Sequence, residues 1–476
     1  VLVADTPTTL YFCQKAVVNE LPVLYQNNPQ FRAVYQSASN HGSVFAAGLV
    51  GSKHSFLVKS LYEQHNATLI WVLNDKEEAA YYLNDLEVLL PQAPLFFPSS
   101  YRRPYATEET ENANVLLRAE VLQKIKNTPR QLVITYPEAL SEQVLTPKEL
   151  QRKTLAIKKG DELSIDFVNE TLFDFGFQRV DFVSEPGEFA VRGGILDVHS
   201  YSHEEPFRIE FFGDEIDTIR SFDVTSQRST QALDAIQVLA NIEQKELDEK
   251  RQSLLSFIDQ GSLICVQNTS AVQASLDHMF TLAEKSYAAL SGEITRLQPE
   301  ALFVDGKLFV QGLAVHKQVH FSSETKDNVV VFECQPQPRF QRKFDWFVTH
   351  LNENTEKQGV NHVFCASDAQ KKRLVQIIEE LAPETSFHCW VAPLFQGFVD
   401  EDENIVCYTD HQLFERYHRF RLKNGYAKKQ ALSLKALTEL EVGDYVTHID
   451  HGIGTFGGLQ RIDVEGKTQD AIKLFY

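Results

Sequence analysis

The segment from Glu185 to Ser229 contains three short stretches in which apolar and polar residues alternate. These stretches are EFAVR, ILDVHS and PFRIEFF, and Gly193-Gly194 and the polar sequence YSHEEP separate them. Alternation with a period of two predicts β-strands that turn one face to a core and the other to water. Because turn residues separate consecutive strands, we expect an antiparallel sheet with one solvated face.

The same alternation assigns side chains to the two faces of this sheet. In EFAVR, Phe189 and Val191 share one face, and Ala190 and Arg192 share the other. We expect Arg192, and Arg179 in the preceding sequence FQRV, to reach solvent. Guanidinium groups held on a rigid sheet are suited to binding the carboxylate of a partner. Ordinary solvated arginines without a partner remain the alternative at this point.

Length and charge limit the function classes. A chain of 476 residues is too long for one ordinary core, so we expect about three or four units. The 65 acidic and 46 basic residues give a formal net charge of -19. A field of this sign repels DNA phosphates, so any affinity for nucleic acid requires a local basic patch.

One basic cluster follows Asp410, with a spacing that predicts an exposed helix ending near Asn424-Gly425. Its members are Arg416, Arg419, Arg421, Lys423, Lys428 and Lys429. A DNA-tracking helix, a hinge and a solvated linker helix are all consistent with this pattern.

The six cysteines lie far apart, without a CxxC pair or a His/Cys cluster at zinc spacing. They are typical of reduced core thiols, and the sequence has neither an apolar run of membrane-spanning length nor a secretory leader. We therefore predict a cytoplasmic protein. The chain begins at Val1, has its only methionine at Met279 and ends at Tyr476 within an apparent strand, so we expect a segment of a longer protein.

The first part of the chain alternates predicted strands and helices. LIWVL (residues 69–73) is typical of a buried strand, Asn74 or Asp75 is positioned to cap the helix EEAAYYLNDLEVLL, and LFF and LVITY supply further strands. This order predicts parallel βαβ units. A nucleotide site in such a domain lies at an early strand-to-helix turn, and the candidate is GLVGSKHS, residues 48–55.

This candidate departs from the phosphate-loop pattern GxxxxGK[ST]. Gly48 and Ser55 match its ends, and Gly51 lies between them, but Lys53 stands where the second glycine lets the backbone approach phosphate. His54 stands where a lysine neutralises the β- and γ-phosphates. A largely neutral imidazole cannot replace that lysine at pH 7. We predict a non-functional phosphate loop and no catalytic residue in this chain.

Two acidic or histidine-containing patterns leave metal binding as an alternative. Asp214 and Glu215 in GDEID resemble a metal-binding acidic pair, but a turn is favoured because Gly213 precedes them and the surroundings are antiparallel. The sequence from His448 to His451 contains two histidines and an aspartate on opposite faces of a strand and turn, which favours structural hydrogen bonding. We predict no metal site.

The remaining segments are less specific. YRRPY (residues 101–105) pairs aromatic residues with arginines that could stack on a base, but a short polar loop is the commoner case. From Ser229 to Pro338 we predict a helix at ELDEKRQSLLSFIDQ and a strand at FVQGLAVHKQVHF. After residue 338 the stretches FDWFVTHLNENTEKQ, VNHVFCAS, AQKKRLVQIIEEL, SFHCWVA and ENIVCYTD predict a smaller α/β domain.

The final segment has the character of a small β-barrel. Strand YVTHI, the turn HGIG, a second strand from Thr455 to Asp463 and a last strand AIKLFY follow one another. The last strand, with Ile472, Lys473 and Leu474, is predicted to be an edge that accepts a strand from another protein.

Two segments carry a resemblance to a known family. Residues 185–229 resemble the UvrA-binding module shared by the excision-repair protein UvrB and the transcription-repair coupling factor. GDYVTHIDHGIGTF (residues 443–456) resembles the start of the RNA polymerase-interacting domain of the coupling factor, which UvrB lacks. In this order, the two segments resemble the N-terminal region of the transcription-repair coupling factor family.

This resemblance implies an α/β multidomain architecture. Its parts are a UvrB-like, RecA-like domain with a degenerate phosphate loop (1–140 and 213–338), an inserted α+β UvrA-binding module (141–212), a small α/β domain (339–415), a basic linker helix (416–437) and a partial, CarD-like RNA polymerase-interacting barrel (438–476).

The resemblance also implies partners and roles. Arg179, Arg192 and Phe189 are expected to bind UvrA, with one contact missing because UvrB has an arginine where this chain has Ala190. The edge strand 472–474 is expected to bind the RNA polymerase β subunit during nucleotide-excision repair at stalled transcription complexes. ATP, magnesium and most DNA contacts are expected in the translocase motor of the full-length protein. A nucleotide-hydrolysing or damaged-DNA-binding UvrB-like protein is the alternative.

Overall fold

The computed structural model describes residues 24–100, 104–105, 112–128, 130–242, 249–289, 297–321, 327–416, 443, 445–448, 452–464 and 467–475. The chain divides into two compact units, Val1–Arg421 and Leu422–Tyr476. No helix among the described residues is long and apolar enough to cross a bilayer.

The described helices are α1 (Pro29–His41), α2 (Lys53–Gln64), α3 (Lys76–Leu89), α4 (Asn112–Asn127), α5 (Pro137–Leu140), α6 (Pro147–Arg152), α7 (Ile165–Asp174), α8 (Leu254–Phe257), α9 (Thr269–Ala288), α10 (Pro299–Leu302), α11 (Gly306–Leu313), α12 (Phe344–Glu356), α13 (Asp368–Leu381) and α14 (Asp410–Leu413). The strands of the first unit before residue 240 are β1 (Ser43–Ala47), β2 (Leu69–Val72), β3 (Leu95–Phe96), β4 (Leu132–Thr135), β5 (Val144–Leu145), β6 (Thr154–Lys158), β7 (Gln178–Arg179), β8 (Glu188–Arg192), β9 (Ile195–Val198), β10 (Phe207–Phe212), β11 (Glu215–Phe222), β12 (Ser229–Leu233) and β13 (Ala235–Leu239). The later strands are β14 (Arg251–Gln252), β15 (Leu263–Val266), β16 (Lys317–His320), β17 (Val329–Val331), β18 (Cys334–Pro336), β19 (Val360–Cys365), β20 (His388–Val391), β21 (Phe398–Asp400), β22 (Ile405–Thr409), β23 (Tyr445–His448), β24 (Gly452–Val464) and β25 (Lys467–Phe475).

A seven-stranded sheet forms the first α/β domain, in the order β17-β1-β16-β15-β2-β4-β3. Every pairing in it is parallel, which confirms the predicted βαβ organisation. All four residues of β2 are buried, as expected for a parallel strand covered on both faces. The predicted cap of α3 is also confirmed, because the Asp75 side chain accepts a hydrogen bond from the Glu78 backbone N–H.

Two predicted elements after residue 229 are wrong. In FVQGLAVHKQVHF, the first residues belong to α11, and only Lys317–His320 is a strand. The helix forms because Asp305 caps it and because Phe309 and Leu313, four residues apart, are buried together. In ELDEKRQSLLSFIDQ, the described part is the short strand β14, paired with β5, followed by the single turn α8.

The module inserted in this domain is a six-stranded sheet in the order β12-β11-β10-β9-β8-β7. The three strands predicted from alternation are present as β8, β9 and β10, and they pair antiparallel. The short strand β7 pairs parallel with β8, which alternation did not predict. The expected boundary at residue 212 is wrong, since it coincides with the end of β10 and the sheet continues through β11 and β12.

One face of this module sheet packs on a core. Phe189, Leu196 and Ile209 from the sheet form a buried cluster with Val168 and Leu172 of α7. Charged residues of neighbouring strands share the opposite face, as the pairing of Ala190 with Asp197 and of Asp197 with Arg208 shows. The module therefore has an apolar inner face and a polar outer face.

The second α/β domain has a five-stranded sheet in the order β18-β21-β22-β19-β20. The predicted alternation of strands and helices in this region is confirmed by β19, β20 and β22 and by α12 and α13. Its core includes Phe347 and Leu351 of α12 and Leu374 and Ile378 of α13.

The second unit contains the described strands β23, β24 and β25, which pair antiparallel in that order. They correspond to the three strands predicted there, except that β24 begins at Gly452, within the residues predicted as the turn HGIG. A register shift between Phe456 and Leu459 interrupts the pairing of β24 with β25. The predicted basic helix lies outside the described residues, apart from Arg416.

Candidate functional sites

The predicted phosphate-loop position lies, as expected, between a strand and a helix, because residues 48–52 connect β1 to α2. Gly48 and Gly51 both have positive φ angles, +84° and +55°. A Cβ atom on Gly48 would lie 2.1 Å from the carbonyl oxygen of Phe332. The glycine thus permits close approach by another part of the protein backbone.

The backbone N–H groups from Ser52 to Ser55 have partners within the protein. The Ser52 N–H donates to the carbonyl oxygen of Gln396 at 3.0 Å. The next three N–H groups, of Lys53, His54 and Ser55, donate to carbonyl oxygens within the same turn. A phosphate at a helix N-terminus needs such N–H donors. Here the protein's own carbonyl groups accept from them.

A segment of the second α/β domain, residues 393–397, lies against this loop; we name it the plug segment. The Gln396 N–H donates to the Ser52 hydroxyl at 3.0 Å, which makes the contact between these two residues reciprocal. The Phe395 N–H donates to Asp85 Oδ1 at 2.6 Å, and the Phe395 ring stacks on Tyr81 with centroids 4.3 Å apart. These contacts fill the space beside the loop with protein.

The Lys53 side chain extends to an acidic residue of the second α/β domain. Its Nζ lies 2.8 Å from Asp400 Oδ2, and both side chains are fully buried. The Tyr25 hydroxyl donates to the same oxygen at 2.6 Å, and the Phe332 ring lies 5.1 Å from Nζ. Lys53 is therefore committed to an ion pair between the first and second α/β domains.

His54 and Ser55 also have internal roles. The His54 Nδ1–H donates to the Gly51 carbonyl oxygen at 2.9 Å, and burial lowers the pKa of His54 to about 4. The Ser55 hydroxyl donates to Asp85 Oδ2 at 2.9 Å, and burial raises the pKa of Asp85 to about 7. A neutral His54 supplies no positive charge to balance phosphate oxygens.

The two predicted partner-binding arginines are exposed, which confirms the assignment from alternation. Arg179 has no ion-pair or hydrogen-bond partner for its side chain among the described residues. The Arg192 side chain is 39% exposed and pairs with Asp197, and its Nη1 donates to the Asp181 carbonyl oxygen at 2.9 Å. One guanidinium is thus free, and the other is held in a fixed orientation.

Asp197 is the group that holds Arg192. Its carboxylate is fully buried and also accepts hydrogen bonds from Arg208 Nε at 2.7 Å and Nη2 at 2.9 Å. Three strands contribute to this row, since Arg192, Asp197 and Arg208 lie on β8, β9 and β10. The row is a preorganised, charge-assisted network on the outer face of the sheet.

Phe189 does not belong to this surface, so its predicted partner contact is wrong. It is fully buried, and its ring meets Phe173 edge-to-face at 5.2 Å. Ala190 lies on the outer face, yet it is only 1% exposed because Val183 and Phe222 pack over it. The inward direction of Phe189 follows from the alternation itself, since it is opposite to that of Arg192.

Sequence reasoning missed Phe182, which is 67% exposed beside Arg192. The Arg192 guanidinium lies 5.3 Å from the centroid of the Phe182 ring. The available signal was a phenylalanine directly after Asp181, in a segment that alternation does not assign to a strand.

The other candidate sites have ordinary structural roles or lie outside the described residues. Gly213 and Asp214 form the turn between β10 and β11, which confirms the turn interpretation of GDEID. Tyr105 is buried and its hydroxyl donates to the Leu297 carbonyl oxygen, so it does not present its ring to a base. Residues 101–103 and 449–451 lie outside the described part, as does the side chain of His448.

The predicted edge strand is β25. Among the described strands of this unit it pairs only with β24. Lys473 is exposed, and its Nζ lies 4.8 Å from the ring of Phe475, which is 52% exposed. The side chains of Ile472 and Leu474 lie outside the described part of the chain.

Comparison with known proteins extends these observations. A model of the UvrB interaction domain matches residues 155–243, and a model of the CarD-like/TRCF RID domain matches residues 440–476. The first match covers most of the inserted module, including β6 through β13. The fold and these matches define an α/β multidomain protein that carries a UvrB interaction domain.

Curated relatives over most of the chain have one description in common. Transcription-repair-coupling factors from Bacillus subtilis (strain 168), Haemophilus influenzae and Escherichia coli (strain K12) are 24%, 25% and 23% identical over 90%, 88% and 90% of this chain. The aligned part is 43%, 42% and 43% of those relatives, so the chain spans less than half of their length. Over most of its length the chain is therefore similar to transcription-repair coupling factors, with the UvrB interaction domain preceding the CarD-like/TRCF RID domain.

Proposed function

We propose that this region is an adaptor that recruits UvrA through exposed arginines of the inserted module and binds the RNA polymerase β subunit through β25. The observation that carries the proposal is the pair of exposed arginines, Arg179 and Arg192, on one rigid sheet. In this role the region connects a stalled transcription complex to nucleotide-excision repair in the cytoplasm.

Each of the two arginines is suited to binding a carboxylate on UvrA. A guanidinium group offers planar, bidentate hydrogen bonding and keeps its charge at any physiological pH. Asp197 fixes Arg192 before a partner arrives, which reduces the entropy lost on binding. The Arg179 side chain has no ion-pair or hydrogen-bond partner in the described part of the chain. A carboxylate of UvrA therefore does not have to displace an internal acceptor from it.

A pull-down with purified UvrA tests the first half of the proposal. We expect Arg179→Ala together with Arg192→Lys to abolish most of the captured UvrA, because lysine keeps the charge at 192 and loses the planar fork. Arg220→Ala is the matched control. Arg220 lies on β11 of the same sheet, is 37% exposed against 39% for Arg192, and also pairs with a carboxylate, that of Glu210.

Equal capture by the parent and by the double variant would remove the basis of the UvrA assignment. Arg220→Ala is expected to bind like the parent. If Arg220→Ala were as defective as the double variant, binding would depend on the general charge of the sheet and the assignment to two arginines would fail.

The polymerase half of the proposal rests on the side of β25 that has no paired strand among the described residues. An unpaired strand edge offers main-chain donors and acceptors to a partner strand, and exposed side chains such as Lys473 add selectivity. We expect Lys473→Glu to weaken binding to the isolated β subunit by about tenfold, and Lys467→Glu, at the other end of the strand, to change it little. Unchanged binding by Lys473→Glu would count against this strand as the contact.

We further propose that this region does not hydrolyse ATP and that ATP-dependent DNA translocation, with ATP and magnesium, belongs to the part of the family's length outside this chain. The contacts of Ser52 and Lys53 with the second domain support this. The competing proposal, a nucleotide-hydrolysing or damaged-DNA-binding UvrB-like protein, requires saturable binding of Mg-ATP, or DNA affinity that falls steeply with salt. Equilibrium binding of labelled ATP and of duplex DNA distinguishes them.

A further inference from the structure

Phe182 is held on the surface by its neighbours in a defined position. It lies between β7 and β8, and the next residue, Val183, is fully buried against Ala190 and Phe222. Val180, two residues before it, packs against the same small cluster. With both sides of the segment anchored, Phe182 remains 67% exposed.

Arg192 connects Phe182 to the charged row of the sheet. Its guanidinium lies 5.3 Å from the Phe182 ring centroid, donates to the Asp181 carbonyl oxygen at 2.9 Å and pairs with Asp197. A cation over an aromatic face is an attractive arrangement whose strength rises when water is removed. The exposed ring and the arginine are therefore one continuous surface.

We propose that Phe182 is an apolar anchor of the UvrA-binding surface and packs on an apolar patch of UvrA next to a carboxylate that Arg192 binds. This inference rests on the proposed function. Its occupant follows from continuity with Arg192 and from charge, because a partner that meets this surface meets the Arg192 guanidinium group and an aromatic ring together.

The expected contribution of Phe182 has two physical sources. Burying a phenylalanine ring removes a large apolar area from water, and aromatic and arginine residues are enriched among the residues that dominate binding energy. A ring that excludes water beside Arg192 also lowers the local dielectric constant, which strengthens the bond between Arg192 and a carboxylate.

A titration of UvrA with the full chain tests this inference. We expect Phe182→Ala to weaken binding by about tenfold or more. The matched control is Phe167→Ala, since Phe167 is 49% exposed on α7, whose buried residues pack on the inner face of the same sheet. Thermal unfolding of both variants checks that the fold is retained.

The same substitution in an Arg192→Ala background separates direct contact from positioning. A direct contact predicts that Phe182→Ala still weakens binding in that background. No further weakening there would show that Phe182 acts only by placing Arg192, and this would overturn the proposal. Loss of the same size for Phe167→Ala in the parent would also overturn it.

The failure of this inference is distinguishable from failure of the adaptor proposal. If Phe182→Ala binds like the parent while Arg179→Ala is defective, the anchor is refuted and the arginine surface stands. If neither the parent nor any variant binds UvrA, both are refuted.

Discussion

Lys53 and Asp400 form a fully buried ion pair, with Nζ 2.8 Å from Oδ2, that joins the first α/β domain to the second. Lys53 occupies the place where GxxxxGK[ST] has its second glycine. Lys53, which stands in place of that glycine, thus holds the second α/β domain against the loop. Together with the Ser52 and Gln396 hydrogen bonds, it gives this position a structural role.

Removal of one partner from this pair is expected to destabilise the protein strongly. Asp400→Ala leaves the Lys53 ammonium group buried without a carboxylate, and breaking a buried pair in this way costs about 3–5 kcal/mol. Chemical denaturation measures the loss. The combined replacement Lys53→Met and Asp400→Leu is expected to recover much of it, because no uncompensated charge remains.

The exposed pair between Lys124 and Glu120 provides the control for that measurement. Lys124→Met is expected to change the free energy of unfolding by less than about 0.5 kcal/mol, as for other exposed helix pairs. An equally small effect for Asp400→Ala would contradict the role assigned to the buried pair.

His54 is expected to make stability fall in acid. Burial lowers its pKa in the fold to about 4, below the value of about 6.5 expected when unfolded. The stability that neutral His54 contributes is therefore fully present above about pH 6.5. As the pH falls toward 4, the free energy of unfolding is expected to drop by up to about 3 kcal/mol. In denaturation experiments across this range, His54→Gln should lose less stability than the parent. Parallel profiles for the two proteins would refute this.

Asp85 is expected to make the stability of the protein fall as the pH rises. Burial raises its pKa in the fold to about 7, above the unfolded value of about 3.9. Its protonated form favours the fold, so its contribution is present below about pH 4 and is lost as the pH rises through 7. The stability of Asp85→Asn minus that of the parent should therefore rise by up to about 4 kcal/mol between pH 4 and pH 7. Above pH 7 this difference should stay constant. A constant difference across this range would be inconsistent with a protonated Asp85.

Asp197 is expected to couple stability to partner binding. Asp197→Ala leaves Arg192 and Arg208 without their shared carboxylate, which should lower the free energy of unfolding by about 3 kcal/mol. It should also weaken UvrA binding, because Arg192 loses its fixed orientation. Glu210→Ala, which breaks the more exposed pair with Arg220, should cost less than about 1 kcal/mol. If Asp197→Ala bound UvrA as the parent does, preorganisation of Arg192 would be refuted.

Local patterns predicted the elements whose side chains have a clear periodicity. Alternation located β8 to β10 and the exposure of Arg192, and the Asp75 cap located the start of α3. FVQGL was misassigned because its apolar residues satisfy strand and helix patterns alike, and the Asp305 cap decides for the helix.

Contacts between distant parts of the chain were not predictable in this way. Ser52 and Gln396 are 344 residues apart in sequence, and nothing near either residue indicates that their backbones pair. The same holds for Phe182, whose exposure depends on Val183 packing against Phe222. The sequence predicted that the loop lacks a phosphate-binding lysine, but not that a neighbouring domain fills the space beside it.

Hydrogen exchange of the full chain, with UvrA or with Mg-ATP added, tests the central claim most directly. We predict that UvrA slows exchange in residues 178–192 and that Mg-ATP leaves residues 48–55 unchanged, since the N–H groups of Ser52, Lys53, His54 and Ser55 already donate within the protein. Slower exchange of residues 48–55 with Mg-ATP, or unchanged exchange of residues 178–192 with UvrA, would contradict the account.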